Sequence, residues 1–208
     1  MLNTNLDLDI TEFATVDFGV LAKIIDAVGG IDLDISGAEY SLINPLNDEQ
    51  NSVTGSDSEY ISGPGYQHVN GTQATAYARI RKIDSDFKRA ERQRIVLSKV
   101  FEEAKSANIG TVLNIIDTIL PEVYTNMTST DLISLAKDIF SYNIADQTGW
   151  PFEKETGSLP SDGLSYVFAD SLEQNVKELH EYLFDNEDFT PSSTVSDISY
   201  ELYCETGY

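Results

Sequence analysis

Residues 65–94 read GYQHVNGTQATAYARIRKIDSDFKRAERQR, and all five arginines of the 208-residue chain lie inside them, at 79, 81, 89, 92 and 94. Asn70-Gly71 opens a short helical stretch, Thr72 to Ala78. The chain then runs through Arg79-Ile80-Arg81 into a turn at Asp84-Ser85-Asp86. A long helix is predicted from about Phe87 to Ala107, with Ser85 or Asp86 as its N-cap. Ala90, Leu97, Val100, Phe101 and Ala104 are its expected buried stripe.

The rest of the chain makes this cluster conspicuous. Lys and Arg number 13 against 35 Asp and Glu, a formal charge of −22. Such a chain is repelled by nucleic-acid phosphates and anionic lipid heads, so general nucleic-acid binding is not expected. Yet nine of the thirteen cations fall between positions 79 and 105. Arg79 and Arg81 are two apart, so an extended backbone points both to one side. Arg89, Arg92 and Gln93 share a face on the first turns of the long helix. Cations at a helix N-terminus oppose its dipole, and an anion there removes the conflict. Guanidinium forks suit phosphate oxygens, so Arg79, Arg81, Arg89 and Arg92 together are read as an anion site. Asp86 could orient those arginines, hold a divalent ion bridging a pyrophosphate, or act as a general base. The competing reading pairs the same arginines with neighbouring acids, and it accounts for Lys99, Lys105 and Arg94 at least as well.

Outward from the cluster, Leu6 to Ile10 and Ile31 to Ile35 alternate apolar and acidic residues, as strands with one wet face do. Their Asp-x-Asp steps lack the glycine and terminal glutamate of a calcium loop. Asp17 to Val28 has helical periodicity and stops at Gly29-Gly30. Residues 44–66, rich in Asn, Ser, Gly, Pro and acid, read as a long surface loop. Helices follow at about Gly110–Leu120, Leu132–Tyr142, Asp170–Phe184 and Ser193–Tyr203, with a short strand at Leu164–Phe168. The fold class is α/β (α+β), a mixed sheet flanked by helices with a helical C-terminal extension. The expected boundary separates 1–145 from 146–208. One cysteine and two distant histidines, His68 and His180, exclude a disulfide framework and a zinc site. His68 reads as a turn hydrogen-bonder and His180 as a helix-surface residue.

The run from Gly65 to Lys82 followed by Asp86-Phe-Lys-Arg-Ala-Glu-Arg-Gln-Arg94 resembles the signature of the LytR-CpsA-Psr family. Val16-Asp-Phe and Ile25 to Ile35 look like its helix-to-strand segment, and the resemblance covers about positions 5 to 145. It implies a cell-envelope phosphotransferase that moves a glycopolymer, such as wall teichoic acid or capsular polysaccharide, from a polyprenyl-pyrophosphate carrier onto peptidoglycan. Magnesium is the implied cofactor, and the implied location is the outer face of the bacterial cytoplasmic membrane behind an N-terminal anchor. By position, Arg79, Arg81, Arg89 and Gln93 match the residues that grip the pyrophosphate, with Arg92 in the same motif. Asp86 matches the acid that orients an arginine or acts in catalysis. The family domain normally begins with further strands carrying Asp and Arg residues, so the expectation is an N-terminally shortened domain. The alternatives are a non-catalytic module that binds phosphoglycan or lipid carrier, and a regulatory ectodomain. In the last, every guanidinium would be capped by a protein carboxylate.

Overall fold

The computed structural model describes residues 1–159 and 163–207. It divides into two compact units, Glu12–Gln147 and Met1–Thr11 with Thr148–Tyr208.

In the larger unit, β2 (Ile31–Ile35) pairs antiparallel with β3 (Gly65–Val69), Ile31 facing Val69 and Ile35 facing Gly65. Alternation buries Ile31, Leu33 and Ile35 and turns Asp32 and Asp34 outward. Against this pair pack α2 (Phe18–Ala27), α3 (Gly37–Thr54), α4 (Gly71–Ala78) and α5 (Asp86–Ser106). Every residue of α4 is buried. Its small side chains, Ala74, Ala76 and Ala78, join Ile25, Ile43, Ile80 and Val96 in one core. Asn70 closes α4 with a capping box to Gln73, and Ser85 caps α5 through the Lys88 N–H. Further on, α6 (Ile109–Ile119), a 3-10 turn (Leu120–Glu122) and α7 (Ser129–Asp138) follow, and β4 (Tyr124–Thr125) pairs with β1 (Ala14–Thr15).

The smaller unit holds α1 (Leu2–Leu6), the antiparallel hairpin β5 (Lys154–Ser158) and β6 (Ser165–Ala169), and α8 (Leu172–Phe184) and α9 (Ser193–Thr206). Leu6, Leu172, Val176, Leu179 and Val195 form its core. Asn175 lies at its centre, fully buried. Its Oδ1 accepts from the Phe152 and Glu153 N–H groups, and its Nδ2 donates to the Glu153, Asp170 and Ser171 carbonyls.

The α+β class expected from the sequence is the one observed, with the strands in three separate antiparallel pairs. Several local readings change. Leu6 to Ile10 is not a strand: α1 ends at Asp7 in a left-handed conformation, and Asn3 holds both the N–H and the C=O of Ile10. That backbone has a side chain as its partner, so it needs no neighbouring strand. Residues 44–54 of the stretch read as loop are instead the later part of α3, started by a Ser36–Glu39 capping box and continuing through Pro45, while 55–64 are irregular. Its loop-like asparagines are spaced on one helical face. Asn44 bonds the backbone of Ile61, Asn47 the carbonyls of Ser58 and Glu59, and Asn51 the backbone of Ser58. On α5 the inward residues are Arg92 and Val96, while Leu97 is exposed. His180 is buried rather than on the surface, bonded through Nε2 to the Leu6 carbonyl and stacked 3.5 Å from Phe189.

Candidate functional site

The turn between α4 and α5 brings the two arginine groups together. Arg81 presents Nε and Nη2 to the two oxygens of Asp86, at 2.9 and 3.1 Å, a bidentate pair. Arg89, one turn along α5, reaches the same carboxylate at 3.5 Å. Two guanidinium groups thus share one carboxylate and keep a net positive charge between them. All three side chains are partly solvent-exposed. Gln93 follows on the next turn of α5, half-buried.

Arg79 is the C-cap of α4 and is not extended with Arg81. Its Nη1 donates to Gln50 Oε1 at 3.1 Å and its Nη2 lies 3.4 Å from Glu49. Its guanidinium carbon sits 5.7 Å from the centre of the Phe18 ring. Arg79 lines a cavity of about 650 Å³ together with Phe18, Lys23, Gln50, Thr72 and Glu122. Lys23 and Glu122 pair at 2.6 Å in its wall. Gln50, Glu49 and Phe18 carry no local signal of this role: Gln50 is 29 and Glu49 30 residues from Arg79, both inside the stretch read as loop, and Phe18 reads as one apolar position of α2.

Arg92 behaves differently. Its side chain is 4% exposed and bonds both oxygens of Asp84, at 2.7 and 2.8 Å, and the Ile80 carbonyl at 2.8 Å. The bond from Arg92 holds the Asp84 carboxyl below the usual range and raises the guanidinium's own pKa. Beside them Tyr77 is pushed up to about 12, chiefly by burial. Arg92 therefore faces inward, away from the shared face expected for it with Arg89 and Gln93. Full capping, expected at every guanidinium in a purely structural cluster, is incomplete even at Arg92: Asp84 and the Ile80 carbonyl hold its two Nη groups, while Nε is buried with no hydrogen-bond partner. Arg79 and Arg89 have single carboxylate contacts of 3.4 and 3.5 Å with half-exposed partners, which exchange at little cost.

His68 lies on β3 rather than in a turn. Nδ1 meets Asp32 Oδ1 at 2.7 Å and Nε2 meets the Gly29 carbonyl at 2.9 Å. Asp32 is the larger cause of the raised His68 pKa, and His68 in turn lowers that of Asp32.

Among the described residues no group of three or more His, Cys, Asp or Glu is placed to hold a metal ion. Both Asp86 oxygens are occupied by arginine. The described residues do not by themselves make a magnesium cage. No helix of the described residues is long and apolar enough to cross a membrane.

Arginines gathered at a helix N-terminus, one of them lining a cavity, make an arrangement chemically suited to an anion. The LytR_cpsA_psr family matches residues 1–181, and the chain belongs to that family. The match runs past the 5–145 segment of the sequence resemblance and into α8. Over 203 residues the chain is 32% identical to the polyisoprenyl-teichoic acid–peptidoglycan teichoic acid transferase TagV of Bacillus subtilis (strain 168), covering 91% of this chain and 46% of that protein. It thus spans less than half the length of that relative. The crystal structure of B. subtilis TagV superposes with a TM-score of 0.66 at 26% identity, over 91% of this chain and 69% of that one. A structure of TagT bound to LIIa-WTA shares the fold, with a TM-score of 0.62 at 21% identity over 88% and 65% of the two chains.

Proposed function

We propose that this protein acts in bacterial cell-envelope assembly. In this reading it transfers a glycopolymer of the teichoic acid or capsular polysaccharide type from a polyprenyl-pyrophosphate carrier to peptidoglycan, outside the cytoplasmic membrane. The observation that carries the reading is the convergence of Arg81 and Arg89 on Asp86 at the start of α5, with Arg79 two residues away lining a cavity. The teichoic acid transferase named above supports it as a relative.

Diphosphate oxygens take over the Arg79 Nη2 now turned toward Glu49 and the Arg89 Nη1 now turned toward Asp86, and meet the N–H groups of Arg81 that Asp86 leaves free. Asp86 stays as the carboxylate that orients the Arg81 fork, and Gln93 adds an amide donor from the next turn. An acceptor hydroxyl attacks the phosphorus attached to the sugar, its proton passing to solvent or to the departing phosphate. The bond from that phosphorus to the bridging oxygen breaks, and the lipid leaves as its monophosphate. Negative charge that builds on the bridging oxygen is met by arginines already in place, which is where catalysis by positioning and electrostatics acts. Magnesium would accompany the diphosphate and neutralise part of its charge.

The test is calorimetry of a short-chain polyprenyl pyrophosphate with this chain, with and without Mg²⁺. Arg81→Ala and Arg89→Ala each lose charge-assisted hydrogen bonds of about 1.5–3 kcal/mol, hence about 10- to 100-fold in affinity. Unchanged binding in both variants removes the site assignment. Asp86→Asn separates the alternative: a binding module keeps its affinity, whereas a transferase also loses turnover.

A further inference from the structure

Arginine is almost never fully buried unless paired, and Arg92 is the one arginine of the cluster that is. Its acceptors come from two pieces of chain, the 79–85 connection between α4 and α5 and the first turn of α3. Asp84 lies in the turn before α5, Ile80 sits between Arg79 and Arg81, and Glu39, 3.4 Å from Nη1, belongs to the first turn of α3. Glu39 is itself held, its other oxygen closing the capping box with Ser36. The Ile80 side chain is fully buried, so the backbone between the two arginines is pinned from both sides.

We propose that Arg92 is a positioning residue: its fork ties the Arg79–Arg81 segment and the Asp84 turn to α5, and so sets the spacing between Arg81 and Arg89 that a diphosphate requires. This rests on the diphosphate reading of the site. The alternative role, a ligand of the anion itself, would need the side chain to leave Asp84, Ile80 and Glu39 together. Loss of the fork lets the loop and helix move independently. Each arginine can still meet a single phosphate, but the two no longer match a rigid pair of them.

The probes are geranyl diphosphate and geranyl monophosphate, titrated into the chain and into Asp84→Asn and Arg92→Lys. Asp84→Asn keeps the arginine and removes the charge it answers to. Arg92→Lys keeps the charge and removes the fork. Thermal midpoints confirm that each variant is folded at the assay temperature. The expected result is a fall of about 10- to 100-fold in diphosphate affinity, with monophosphate affinity nearly unchanged, in both variants. A residue that only supports the fold would leave the ratio of the two affinities where it was, and that result overturns the proposal. Failure of the unsubstituted chain to bind either probe overturns the diphosphate reading as well, so the two failures are told apart.

Discussion

Gly71→Ala should open the contact between α2 and α4. Gly71 is the first residue of α4, and its N–H donates to Asp26 Oδ1 at 2.7 Å. A Cβ built on it would lie 2.0 Å from the Ala22 carbonyl oxygen, 2.5 Å from the carbonyl carbon and 2.7 Å from Cα. All three are backbone atoms of α2, so no side chain can swing aside. Ordinary close carbon–oxygen contacts begin at about 3.3 Å, so the helices must part by about 1.3 Å. Overpacking of this kind costs about 1–3 kcal/mol, and separation also loosens Ile25 against Ala74 and Ala78. The helix propensity of alanine returns at most about 1 kcal/mol, and less at a first helical position. A net loss of about 1–3 kcal/mol corresponds to a fall of roughly 3–10 °C in Tm. Urea titration of the variant beside the unsubstituted chain measures it. Because α2 also carries Phe18, the ring near Arg79, diphosphate affinity should fall with it. A variant within about 0.5 kcal/mol of the parent would show that the helices do not approach this closely, and would refute the reasoning.

Both ring nitrogens of His68 face acceptors, so both carry protons when the two bonds are made. Its NMR titration midpoint should lie above the ordinary value of about 6.5 and drop in Asp32→Asn; an unshifted midpoint in the parent contradicts this. The stabilisation from His68 is complete below about pH 6.5 and fades as pH rises through the elevated pKa. That from Asp32 is present above about pH 4 and fades as pH falls through its depressed one, so the pair contributes most between the two. In the smaller unit, Asn175→Ala strands buried N–H and C=O groups and should cost about 3 kcal/mol or more. Trp150, whose indole N–H donates to the Asn175 carbonyl, reports the transition by fluorescence, and a loss under about 1 kcal/mol would mean that these bonds carry little.

Much of this molecule is legible along the chain, because its signals are local. The capped start of α5, the stop of α2 at Gly29-Gly30, the alternation of Ile31 to Ile35 and the crowding of all five arginines are properties of neighbouring residues. They determine the α+β class and place an arginine cluster at the head of a long helix. What the linear pattern leaves open is which way each polar side chain turns. Asn44, Asn47 and Asn51 look like loop composition, and become a helical ladder only when Ser58 to Ile61 fold back to receive them. Arg89 and Arg92, three apart on one helix, separate into a half-exposed side chain and a buried one because Asp84, Ile80 and Glu39 lie beneath only one of them. Burial of a charge requires partners that meet it from several directions, and only the tertiary structure brings residues 39, 80 and 84 to a single guanidinium.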